Sequence, residues 1–147
     1  MSGELTDFNA LVSIFHSNTQ TINTLWGFFY AIALALLGFV YKDENLRKNW
    51  IVLVILSFGF FAFAFGNNSA ISRSQKILVE INTQFHNDCF LKQISKPAIV
   101  SVLKSFEAKS VNAIQLAHSL FTLVVIIGLW APYIKSKSIS TIQKKEG

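Results

Sequence analysis

No lysine or arginine occurs before Lys42, and three long stretches of the chain carry no charge at all. A secretory signal peptide places a positively charged segment ahead of its apolar core. None is present here, so the first apolar run is expected to stay in the mature protein. The chain has one cysteine, Cys89, which excludes a disulfide within it. In an oxidising compartment that thiol either stays free or pairs between chains, so Cys89 is a candidate intermolecular thiol. Only 14% of the residues are charged, and no Asp or Glu falls inside any of the three uncharged runs. A hydrolytic or transfer site needs a nucleophile with a base, or ligands at metal spacing. One Cys and three His supply neither. The expectation is a chain that is not an enzyme, with no catalytic residues, no metal and no cofactor.

What is abundant is apolar surface. Hydrophobic residues make up 52% of the sequence, and the mean hydropathy of +0.44 exceeds that of an ordinary soluble domain of this length. The excess is concentrated in residues 21–41 (TINTLWGFFYAIALALLGFVY), 50–66 (WIVLVILSFGFFAFAFG) and 110–134 (SVNAIQLAHSLFTLVVIIGLWAPYI). A hydrocarbon core about 30 Å thick takes roughly 20 helical residues, with about 17 as the lower limit. The first and third runs span it comfortably and the second only just. The second run, rich in Phe, Val and Ile, would also suit a strand, but an open strand in lipid leaves its backbone groups unpaired, and three segments cannot close a barrel. All three runs are therefore read as helices. Trp26, Tyr30, Tyr41, Trp50, Trp130 and Tyr133 lie near run ends, where an aromatic belt is expected.

Two further segments have helical periodicity. Residues 4–20 align Leu5, Phe8, Leu11, Val12 and Phe15 as an amphipathic helix that lies on the membrane surface or leads straight into the first span. Residues 70–92 repeat the pattern through Ile77, Leu78, Ile81, Phe85 and Cys89. Pro97 disfavours helix at Lys96 and suits the first turn of a new one, which predicts a break at 93–96 and then one unbroken helix over 97–134. The fold class that results is an all-α integral membrane protein: three transmembrane helices, with a small extramembrane helical hairpin between spans 2 and 3. The whole chain, 1–147, is read as a single membrane domain: amphipathic helix 4–20, spans 21–41, 50–66 and 110–134, hairpin 67–109 and basic tail 135–147.

Orientation follows from the cations. The 42–49 loop and the tail hold seven Lys and Arg in twenty-one residues, against six in the forty-three residues of 67–109. The denser side is expected in the cytoplasm, with the N-terminus outside and the C-terminus inside a cell membrane, the bacterial inner membrane. The net charge of +5 is then topology signal, and no nucleic-acid partner is expected.

Candidate functional positions are few. His86, Asp88 and Cys89 form the densest polar cluster, too small a ligand set for a metal site. Asn112, Gln115 and His118 form a polar face near one end of the third span. Intramembrane polar groups line cavities or bond across helices, and the alternative is that all three occupy the interfacial zone. Gly27, Ala31, Ala35 and Gly38 give the first span a smooth face, and Gly59, Ala62 and Gly66 do the same for the second. Such faces let another helix backbone approach closely. Three spans offer fewer partners than there are smooth faces, which points to a homo-oligomer; the alternative is that these residues pack the three helices on one another. Three spans with a small extramembrane hairpin recur in bacteriocin-immunity proteins, accessory subunits and membrane effectors of phage-defence or toxin systems, and no motif selects among them. The expected function is a non-catalytic membrane effector or sensor subunit acting through helix association, with the lipid bilayer as its medium. The alternative is an immunity or accessory subunit that binds another membrane protein.

Overall fold

The computed structural model describes residues 2–86, 100–101 and 107–143, with side chains described over 9–86, 100–101 and 107–138. The described chain is helical, with no strand among the described residues: α1 (Ser2–Lys42), α2 (Glu44–Lys48), α3 (Trp50–Phe85) and α4 (Val111–Gln143). Three helices are long and apolar enough to cross a membrane, through Asn9–Lys42, Trp50–Phe85 and Val111–Ser138. The all-helical class with three spans is thus as the sequence indicates. The expected break at 93–96, the helix start at Pro97 and the end of the 70–92 stripe lie outside the described residues.

The helix boundaries refine the sequence reading at several places. The 4–20 segment follows the second of its two readings and leads straight into the first span, since α1 runs unbroken from Ser2 to Lys42. The helix that carries the second span does not end at Gly66: α3 continues through Asn67 and Asn68 to Phe85. Gly66 and the two Asn are weak helix formers, but no proline follows them and no residue there adopts positive φ, so nothing stops the helix. The expected unbroken helix over 97–134 is interrupted instead: residues 107–110 are not helical and α4 starts at Val111. Ser110 Oγ accepts from the Ala113 N–H at 3.2 Å, an N-cap bond. Finally, α4 passes through Pro132 and continues to Gln143, into what reads as a basic tail. The expected 42–49 loop holds α2, capped by Asp43, whose side chain accepts from Asn45 N and Leu46 N. Asn49 Oδ1 then accepts from Ile51 N and Val52 N to start α3.

Tertiary contacts group the chain into two compact units, 1–25 with 69–116 and 26–68 with 117–147. In the second unit, Phe29, Ala33, Phe60, Ala64 and Val125 form one buried cluster, and Val40, Leu53 and Leu129 form another. Gly128 allows a close approach there, since a Cβ at that position would lie 3.0 Å from Leu37 Cδ2. Around this thin core the large apolar side chains point outward: Phe58 is 75% exposed, Phe65 72% and Leu34 69%. A soluble domain seldom leaves so continuous an apolar surface uncovered, whereas lipid tails are as apolar as these side chains. The first unit buries Ile22, Ile71, Leu78, Ile81 and Phe85, with Phe15 and Phe85 in ring contact at 6.1 Å.

Most buried positions of α3 repeat at spacings of four and three (Leu53, Phe60, Ala64, Asn67, Ile71, Ser74, Leu78, Ile81 and Phe85), and Ser72 and Gln75 are buried beside this row. With half-buried Ser57 filling the one gap, this is a heptad seam with small and polar residues at several of its positions.

Candidate functional site

Buried polar residues of α3 make separate contacts in each of the two units. In the second unit, Asn67 of α3 and His118 of α4 are almost wholly enclosed, at 7% and 1% exposure. Asn67 Nδ2 lies 3.1 Å from His118 Nε2. With the amide nitrogen facing the ring, Asn67 donates and the imidazole accepts, which places the ring proton on Nδ1 of a neutral histidine. The Phe29 ring packs 4.3 Å from the imidazole and the Trp26 ring 5.2 Å from it, centroid to centroid. Thr122 Oγ1 donates to the His118 carbonyl at 2.8 Å, so this buried hydroxyl is satisfied within its own helix. The imidazole therefore sits in an aromatic box with one cross-helix partner.

In the first unit, Gln115 Nε2 donates to Ser72 Oγ at 3.0 Å. Gln75 donates from its own amide to the Lys109 carbonyl, one of the backbone groups left outside a helix by the break at 107–110. Of the predicted polar face, His118 and Gln115 are each bonded to α3, while Asn112 is exposed in the first turn of α4. Sequence reasoning missed Asn67 and Ser72, the partners of His118 and Gln115, and also Gln75, because all three fall in the segment read as an extramembrane hairpin. The signal was present in the four-and-three spacing that carries Asn67 on from Phe60 and Ala64.

The aromatic residues near the run ends differ in their contacts. Tyr41 and Trp50 are exposed at their helix ends, but Trp130 Nε1 donates to Ser57 Oγ at 3.0 Å and Trp26 packs on Tyr30 and His118. Both of these indoles serve packing within the unit. His86 Nδ1 lies 2.9 Å from its own-helix carbonyl of Asn82; Asp88 and Cys89 lie outside the described residues.

The smooth faces resolve clearly. Gly27, Ala31, Ala35 and Gly38 are all exposed, as are Gly59, Ala62 and Gly66. A Cβ added at Gly27, Gly38, Gly59 or Gly66 would meet nothing within 4 Å. Among the described residues, the helices of the second unit are packed on one another by Phe29, Ala33, Phe60, Ala64, Val125 and Leu129 instead.

Three helices long and apolar enough to span, an outward apolar surface and hydrogen bonds between helices at Asn67–His118 and Ser72–Gln115 define the class: an all-helical protein suited to the bilayer. Comparison of the chain with protein-family models, with curated proteins and with solved structures gives no match.

Proposed function

We propose that this is a non-catalytic multi-pass membrane protein that works through helix association, its copies assembling in the bilayer into an effector or sensor subunit that changes membrane integrity, as in phage-defence or toxin systems. The observation that supports this reading is the outward position of Gly27, Ala31, Ala35 and Gly38 on α1 and of Gly59, Ala62 and Gly66 on α3. In lipid, helices associate through close van der Waals packing of small residues rather than through hydrophobic burial. A second copy is the simplest occupant of a smooth face that the described helices leave open. The buried clusters of the second unit are filled by side chains, so an effect on the membrane would arise from the assembly. In this reading the protein lies in a bacterial inner membrane with its N-terminus outside and its C-terminus in the cytoplasm.

The test pairs assembly with activity. Gly27→Leu and Ala31→Leu should shift the purified protein from oligomer to monomer at unchanged membrane abundance, because lipid tolerates the added volume and a close helix contact does not. Overproduction of the parent should depolarise cells, read with a potential-sensitive dye, and both variants should be silent. A parent that is harmless alone and matters only beside a second membrane protein would favour the immunity or accessory role.

A further inference from the structure

An open pocket of about 520 Å³ lies within the second unit, where the end of α1, α2 and the latter part of α4 meet. Its charged lining is Arg47, Lys48 and Lys135 against a single carboxylate, Glu44. Tyr41 and Pro132 add an aromatic and an aliphatic wall. A volume between about 300 and 1,000 Å³ with a few convergent polar groups is what a small-ligand site presents.

The sequence fixes the depth of this pocket. Tyr41 closes the first uncharged run, Trp50 opens the second and Lys135 follows the last residue of the third. The cations therefore gather where apolar helix gives way to charged chain, at the level of lipid headgroups. Glu44 is shared between Lys48 at 2.7 Å and Arg47 at 3.7 Å. The Lys48 hydrogen bond, then the Lys48 and Arg47 charges, hold its carboxyl below the usual range, so it is ionised at neutral pH. Lys135 has no ion-pair partner among the described residues. Two cations are thus half-neutralised and one is free, and together they leave an excess of two positive charges on the lining. Arginine and lysine converging in this way suit the oxygens of a phosphate group.

We infer that this pocket binds a phosphate ester, and that its source is the headgroup of an anionic phospholipid whose glycerol and acyl portions lie along the Pro132 and Tyr41 walls. Basic pockets between transmembrane helices recognise lipid headgroups by this chemistry. Glu44 competes with the ligand for Arg47 and Lys48, so it weakens the site in a graded way.

The full chain, reconstituted in nanodiscs of phosphatidylcholine with increasing phosphatidylglycerol, should retain phosphatidylglycerol in native mass spectra and unfold at higher temperature as its fraction rises. Lys135→Gln should weaken that lipid's apparent affinity about five-fold, and Arg47→Gln with Lys135→Gln should remove the preference. Glu44→Gln should strengthen binding, an outcome that loss of fold cannot imitate. Inorganic phosphate added to pure phosphatidylcholine discs forms the second arm. Equal stabilisation by phosphate, lost in Lys135→Gln, would assign the site to a soluble phosphate compound; no effect of phosphate alone assigns it to the lipid. Unchanged phosphatidylglycerol affinity in both Lys135→Gln and Glu44→Gln would overturn the site. So would an equal loss in Lys76→Gln, an exposed cation of the first unit, since that would mean diffuse surface charge.

Discussion

His118 shows how little polarity a bilayer-suited core needs to be specified. Its ring is enclosed by Phe29 and Trp26 and meets one polar group, Asn67. In an apolar interior, removing one partner leaves the other unpaired at a cost of about 1–3 kcal/mol, whereas removing both can be nearly neutral. Cross-helix hydrogen bonds in membranes themselves average about 0.6 kcal/mol, with a maximum near 1.7. A double-mutant cycle with Asn67→Leu and His118→Leu, followed by SDS unfolding, should therefore give a coupling of about 0.6–1.7 kcal/mol. The double variant should be more stable than the sum of the two single losses indicates. His118 was legible as a candidate because it is a polar group within an uncharged, largely apolar run. Asn67 was not, because it sits just past the last apolar residue, where a polar side chain looks like the start of a loop.

At the scale of elements, α3 carries the largest revision. A hydropathy reading stops at Gly66 because polarity rises there, yet helix formation depends on backbone geometry and on the seam, and both continue. Asn67, Ile71, Ser74 and Leu78 are buried at four-and-three spacing on the far side of that boundary. Backbone Cα chemical shifts in nanodiscs should be helical without interruption from Phe65 to Ser72, and their amides should exchange slowly. Random-coil shifts over Gly66 to Ser69 would restore a separate short span. The start of α4 follows a similar logic in reverse. Periodic apolar residues run through 99–117, which conceals a break, while Ser110 before Val111 is an ordinary N-cap signature that marks it.

For the whole molecule, the distribution of Lys and Arg makes a prediction independent of packing. If the 42–49 loop and the tail are cytoplasmic, the lone thiol of Cys89 lies outside. A membrane-impermeant maleimide should label Cys89 in intact spheroplasts and leave Cys89→Ser unlabelled. Labelling only after lysis would invert the orientation and move the N-terminus to the cytoplasm. The proposed phosphate pocket lies at the end of the second unit formed by the 42–49 segment and Lys135, so the same experiment also identifies the leaflet that supplies its lipid.

The sequence by itself determined the helical class and the number of spans, because uncharged runs of that length leave the backbone no partners in lipid other than its own. It also marked His118, Gln115 and the small-residue faces as the positions to examine. Which faces turn inward was decided only by the tertiary structure. Phe29 and Ala33 are buried while Gly27, Ala31 and Gly38 of the same helix are open. Hydropathy cannot separate these two faces, since in a membrane helix both are apolar, and the difference between a core and an exposed surface lies in shape and in which polar groups find partners across the seam.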